Sequence, residues 1–247
     1  MMDVETSFPG SRPLLDRAGE ARYLPAVLSV IAGMADVTSW LTLGGLFAAH
    51  ITGNLVIMSA DLTRGSLPNV AQMLAVPVFI LGVVLAWWIA RACGPSGRRC
   101  VRLLLLLQFA LLACTAGISI THHALAARHE ALELAGGMSA VAAMAVQNAL
   151  LHLTRHSAPT TAVMTGNVVV CTLTLMTLLA DKAGAAESRQ RWHATWPLLA
   201  GFLGGCLLGA TVVRMAGSWA WLLPTAVALA ALLALPSAAP SPAGTGQ

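Results

Sequence analysis

The sequence predicts an all-α integral membrane protein made of two repeated halves, and three observations carry that prediction. Hydrophobic residues make up 57% of the chain and charged residues 10%, with a mean hydropathy of +0.76; a soluble domain carries about 25% charged residues to face water. The charges gather in short segments between long neutral runs. The polar triplet Thr-Gly-Asn occurs twice, at 52–54 and again at 165–167, 113 positions apart.

The 247 residues leave room for six to eight helices of about 20 residues each, and for no separate soluble domain. A single membrane domain over residues 23–235 is expected between a flexible tail, 1–22, and a disordered one, 236–247. The net charge of +4 and pI near 9.1 call for no nucleic acid, because cytoplasmic loops of membrane proteins collect Lys and Arg. The first apolar run is too long for a signal h-region, so no cleavage is expected.

In chain order, the first span runs from Leu24 to about Leu46 and holds Asp36, a carboxylate deep in an apolar run. The triplet segment Phe47 to Leu62 is short for a crossing. Val70 to Ala90 is a clear span with Pro77 as a kink site, followed by a basic loop of Arg91, Arg98, Arg99 and Arg102. Val101 to Ile120 spans next, and a polar connection from His122 to Glu133 follows. The pattern then restarts: Leu134 to Leu153 carries Gln147 and Asn148, and Thr160 to Ala180 carries the second triplet, Thr165, Gly166 and Asn167. After a polar loop come spans from about Trp196 to Val213 and Trp219 to Leu235. Tryptophans near the span ends, among them Trp87, Trp88, Trp196 and Trp219, read as interfacial anchors.

The restart is a duplication. Gly82, Leu85, Arg91 and Gly94 coincide with Gly205, Leu208, Arg214 and Gly217 at an offset of 123. This divides the chain into a repeat of about 23–121 and one of about 131–235. Three crossings per half make the halves inverted and place 10 of the 14 Lys and Arg on the cytoplasmic side; four make them parallel and place six there. The charge placement favours inverted halves, both termini in the cytoplasm, and triplet segments that are broken or re-entrant helices.

A broken helix is tolerated in a bilayer only where its backbone is buried in protein or faces a wet cavity. The triplets suit that need: glycine permits the turn, and Thr and Asn satisfy freed backbone groups. The plainer reading, that Thr52, Gly53 and Asn54 merely pack helices closely, stays beside it. An Asp at mid-bilayer costs roughly 2.5–3.5 kcal/mol, so Asp36 must be offset by partners or stay protonated. The triplet break, His50 and Asn148 are its candidate partners, and a neutral Asp bridging helices is the structural alternative. His122, His123 and His129 match no common metal spacing and read as a solvated loop. Gly82, and Gly201, Gly205 and Gly209 at four-residue spacing, mark close helix contacts. Cys93 and Cys100 flank the basic loop and are candidates to pair, although a reducing cytoplasmic compartment favours free thiols.

Ala32, Gly33, Asp36, Ser39, Leu41, Leu43, Gly44, Phe47, His50 and Thr52–Asn54, then Gln147, Asn148, Ala149, Thr160, Thr161 and Thr165–Asn167, together resemble the pattern of the YoaK family over about residues 24–235. The resemblance implies a multi-pass protein of the bacterial inner membrane carrying a domain of unknown function. The stretch His152-Leu153-Thr154-Arg155 departs from the small or glycine-containing link of that family.

No HExxH or GxSxG motif supports hydrolysis, and neither an enzyme nor a cofactor is expected. Two functions remain. The first is a small secondary transporter or exporter of a small solute, coupled to protons through Asp36, with Gln147 and Asn148 and both triplets along its pathway. The second is a membrane scaffold or regulator of a partner protein. The lipid bilayer is the certain partner, and a homo-oligomer is compatible with either reading.

Overall fold

Each apolar run becomes a helix, and the ends of the helices follow local chemistry. The computed structural model describes residues 23–67, 69–93, 97–124, 130–154, 164–180 and 185–235. Both tails, His129 and the segment before the second triplet, including Thr160 and Thr161, lie outside them, as do the side chains of His122 and His123. The described residues form α1 (Leu24–Thr42), α2 (Ile51–Thr63), α3 (Val70–Ala92), α4 (Gly97–Ala124), α5 (Glu130–Thr154), α6 (Met164–Ala180), α7 (Ala185–Ala216), a 3-10 turn (Gly217–Trp221) and α8 (Leu222–Leu233). No strand occurs among them.

α1 opens with Pro25 in its first turn, where a missing N–H costs nothing. It ends at Thr42, earlier than the apolar pattern suggests, because Gly44 and Gly45 take φ of 64° and 76°, which no helix can hold. Asn69 caps α3 by accepting from the Ala71 N–H at 2.9 Å, and Pro77 lies inside α3 without ending it. α5 begins at Glu130, with Glu130 and Glu133 in its first turn, where the helix dipole favours carboxylates. α7 starts eleven residues before Trp196 and absorbs the polar segment expected as a loop. Glu187 and Arg191, one turn apart at 2.7 Å, stabilise that extension.

Among the described residues, five stretches are long and apolar enough to cross a membrane: 24–42, 70–92, 97–121, 130–153 and the 48-residue run 186–233. The last bends at Gly217, whose φ is 55°. α2, with 13 residues, extends only roughly 20 Å at 1.5 Å per residue, short of the ~30 Å hydrocarbon core.

Contacts between helices give their directions. On α1 and α7 the partners rise together: Gly33 faces the Phe202 carbonyl, Gly205 the Val30 carbonyl, and Gly209 packs on Met34 and Val37. The two helices are therefore parallel, and a Cβ at Gly33 or Gly205 would lie 2.2 or 2.3 Å from the facing carbonyl oxygen. Such approach is the close contact that small residues permit. α3 and α5 are parallel too, since Val70 shares a cleft with Glu130 while Gly82 meets Ala142 and Ala145. α4 and α5 run antiparallel, with Gln108 on Gln147, and Leu111 and Thr115 on Ser139 and Gly136.

The turn after α7 returns to the end of α1. There Trp221, fully buried, donates its indole N–H to the Thr42 hydroxyl at 3.1 Å. α8 then packs against α1 and α4. α5 is buried over most of its length, whereas α3 and α7 expose Leu81, Leu85, Leu203 and Leu207, side chains suited to lipid.

Candidate functional site

The glycine-driven end of α1 frees a stretch of backbone inside an apolar bundle, and the chain must satisfy it locally. Residues 43–50 fold back along α1 so that Ala49 and His50 reach Asp36, six residues before the end of that helix. Asp36 is buried, at 4% exposure. Its Oδ1 accepts the backbone N–H of Ala49 at 2.6 Å and of His50 at 3.3 Å, and its Oδ2 pairs with His50 Nδ1. A carboxylate in apolar surroundings therefore receives two backbone donors and an imidazole, which offset the loss of water.

His50 immediately precedes α2 and connects this buried group to the outside. Its side chain is 30% exposed while that of Asp36 is 5% exposed. The His50 ring meets Phe202 of α7 edge-on, with centroids 5.1 Å apart. The imidazole is therefore held between a buried acid and the α7 surface, with one nitrogen committed to Asp36.

Asn54 closes the returning loop. Its Nδ2 donates to the Phe47 carbonyl at 2.8 Å, and its Oδ1 accepts the Phe47 N–H at 2.9 Å. Phe47 in turn stacks on Trp40 of α1, with centroids 4.7 Å apart. The sequence expectation that Gly53 permits the turn is corrected: Gly53 is helical, in the first turn of α2, and Gly44 and Gly45 make the turn. A Cβ on Gly53 would lie 2.8 Å from the Phe47 ring, so this glycine serves close packing. Thr52 is exposed on that same turn.

The second set of expected residues is arranged otherwise. Gln147 donates to the Leu28 carbonyl at 2.9 Å and accepts from Gln108 at 2.7 Å, clamping α5 to α1 and α4. Leu28 lies two turns below Asp36, so Gln147 belongs to a different level of the bundle. Asn148 donates to the Met144 carbonyl of its own helix at 3.0 Å. Asn167 is buried in the first turn of α6, and Thr165, Gly166 and Asn167 repeat the exposed, half-buried, buried order of Thr52, Gly53 and Asn54. Gly82, Gly201, Gly205 and Gly209 all lie in helix contacts.

Two features escape the sequence reading. Gln108, the polar residue that ends the leucine run 103–107, is fully buried, and among the described residues its Oε1, like Gln72 Oε1 and Thr38 Oγ1, has no hydrogen-bond partner. A polar side chain in a long apolar run is the signal that would have found it. The second is a cleft of about 440 Å³ above the loop, lined by Leu43, Leu46, Asn69, Glu130, Glu133 and Gly137 among others. Among the described residues, no three His, Cys, Asp or Glu side chains come together as a metal site.

A family model described as "Protein of unknown function (DUF1275)" matches residues 24–234. No curated protein and no solved structure matches the chain. The match spans the whole helical bundle, from the start of α1 to just beyond α8, and includes the Asp36 loop and both triplets. This chain therefore belongs to the DUF1275 family.

Proposed function

We propose that this protein is a small secondary transporter of a small solute, driven by proton exchange at Asp36 and His50. The observation that carries the reading is the pairing of a buried carboxylate with a partly exposed imidazole at a broken helix. Ionisable groups within membrane helices are expensive, and they recur where ions and protons move. A break between helix segments is also the usual seat of a transported ion or solute.

The helix directions support a bundle of two inverted repeats. If α1, α3 and α4 correspond to α5, α7 and α8, every helix runs opposite to its counterpart. The packing follows the same exchange, with α1 on α7 as α5 is on α3, and α2 on α3 as α6 is on α7. In this reading α2 and α6 are re-entrant, both termini face the cytoplasm, and the residues around Asp36 fit the YoaK grouping of bacterial inner-membrane proteins.

The test is solute flux in proteoliposomes, with a trapped pH indicator and a broad panel of small solutes. The wild-type chain moves a solute together with protons, and Asp36→Asn inserts normally but loses the proton-linked flux. No Asp36-dependent flux across the panel would overturn transport and favour a scaffold that holds a partner protein. Full pH-dependent flux in Asp36→Asn would leave the carboxylate as a packing group.

A further inference from the structure

The sequence pattern sets four arginines in a loop, and the structure carries all four on helices. Arg91 stands in the last turn of α3, and Arg98, Arg99 and Arg102 in the first two turns of α4. All four are exposed. Each helix joins its arginines to an apolar face that nothing covers. On α3, Leu85 and Trp88 are 49% and 59% exposed and lead up to Arg91. On α4, Leu103 and Leu106, 38% and 47% exposed, share a face with Arg99 and Arg102 by helical spacing. The two helices touch. Trp87 meets Trp88 edge-on with centroids 5.0 Å apart, and the Arg91 guanidinium lies 5.6 Å over the Trp87 ring.

Snorkelling to the interface accounts for Arg91, whose place at the end of α3 also suits the negative end of the helix dipole. It does not account for the start of α4. There three cations gather at the positive end of a helix whose first turn carries no acid. Arg98 and Arg102 are also like charges one turn apart, an arrangement that opposes helix formation. Little on the chain offsets them. Among the described residues, the end of the bundle where α4 and α7 start holds six arginines and one carboxylate, Glu187, which is bonded to Arg191 on α7.

We propose that the α3–α4 hairpin binds an anionic phospholipid. Arg98, Arg99 and Arg102 hold its phosphate, with Arg91 beside them, and its acyl chains lie along Leu85, Trp88, Leu103 and Leu106. A free anion would answer the charge and leave the apolar faces uncovered. An acidic protein segment would have to follow those faces into the bilayer. A molecule that is anionic at one end and apolar over the rest fits both features at once. The guanidinium fork matches phosphate oxygens, and basic sites between membrane helices take lipid headgroups. This inference rests on the chain crossing a membrane and does not rest on transport.

The experiment records native mass spectra of the full chain from detergent micelles that hold equal amounts of phosphatidylglycerol and phosphatidylcholine with the same acyl chains. The wild-type chain should retain phosphatidylglycerol with a preference of roughly tenfold or more, weakening as salt is raised. Two variants locate the site. Changing Arg98, Arg99 and Arg102 together to Gln should abolish the preference. Changing Arg189 and Arg191 to Gln removes two arginines from the same end of the bundle and should leave the preference intact. Equal retention of the two lipids by the wild-type chain would overturn the proposal. So would an equal loss in the α7 variant, because charge spread over the whole end would then select the lipid. Displacement of the lipid by an equal amount of free glycerol phosphate would also overturn it, by showing an anion site without acyl contacts. Where the triple variant fails to fold, Arg99→Gln alone should lower the preference, and the wild-type comparison stands by itself.

Discussion

Asn54 gives both ends of its side-chain amide to one residue, Phe47, donating to its carbonyl at 2.8 Å and accepting its N–H at 2.9 Å. This is the pairing one strand residue makes with another, here supplied by a side chain seven positions away. It satisfies the backbone at the point where the chain turns from the loop into α2. Asn54→Asp keeps the acceptor but loses the donor and sets a charge against the Phe47 carbonyl. Asn54→Leu loses both. Each should lower the unfolding midpoint in detergent micelles, by a loss of about 1–3 kcal/mol for the buried group left unpaired. An unchanged midpoint in both would show that the loop does not depend on this pairing.

The seam between α1 and α7 should tolerate no methyl group at its tightest points. Gly33→Ala and Gly205→Ala each drive a carbon into a backbone carbonyl, at 2.2 and 2.3 Å. Overpacking of this kind costs about 1–3 kcal/mol. Gly204, on the same helix as Gly205, has nothing within 4 Å of such a carbon, so Gly204→Ala is the matched control and should leave stability unchanged. Thermal unfolding of the three variants side by side checks this.

Gln108 and Gln147 should behave as one unit. The Leu28 carbonyl fixes Gln147 as donor at one end, which makes its Oε1 the acceptor for Gln108. Gln147→Leu leaves both the Gln108 amide and its already unpartnered oxygen buried in an apolar setting. Replacing both by Leu removes those groups together. The double variant should therefore be more stable than the sum of the single changes allows, with a coupling of about 0.5–3 kcal/mol in a double-mutant cycle.

The helix directions place Ser66 and Ser188 at opposite ends of the bundle. Ser66 leads into Asn69, whose side chain bonds the Gly44 carbonyl just past the end of α1, whereas Ser188 lies in the first turn of α7, 13 residues before Gly201 meets Ala26 in the first turn of α1. Single cysteines at the two positions, in a chain without its native cysteines, should differ when intact cells meet an impermeant maleimide: Ser66→Cys reacts and Ser188→Cys does not. Reaction at both would mean that the polypeptide does not place these ends on opposite sides of a membrane.

The long helices were legible because hydropathy alone marks them, and Asp36 stood out because an acid in an apolar run is rare. The end of α1 was misplaced because Leu43 and Leu46 continue the apolar pattern, while Gly44 and Gly45 override it through backbone geometry. The repeated triplet points to Gly53 for that turn, yet its helical conformation leaves it a packing role against Phe47. His50 is one of three partners the sequence offers Asp36, and the choice among them depends on how a loop folds back over 14 positions, which no periodicity encodes. The start of α7 was hidden for another reason. Polar residues such as Glu187 and Arg191 look like a loop by hydropathy, although each favours helix.

The parallel seams have a consequence for how the chain is made. α1 finds its tight partner in α7, and α3 finds its own in α5, so each leading helix waits for one synthesised much later. A ribosome that has finished α4 has delivered helices whose small-residue faces still meet lipid rather than protein. The bundle can therefore close only when α7 arrives. Separately expressed halves, neither able to close alone, would be expected to find each other in the membrane like the two sides of a zip.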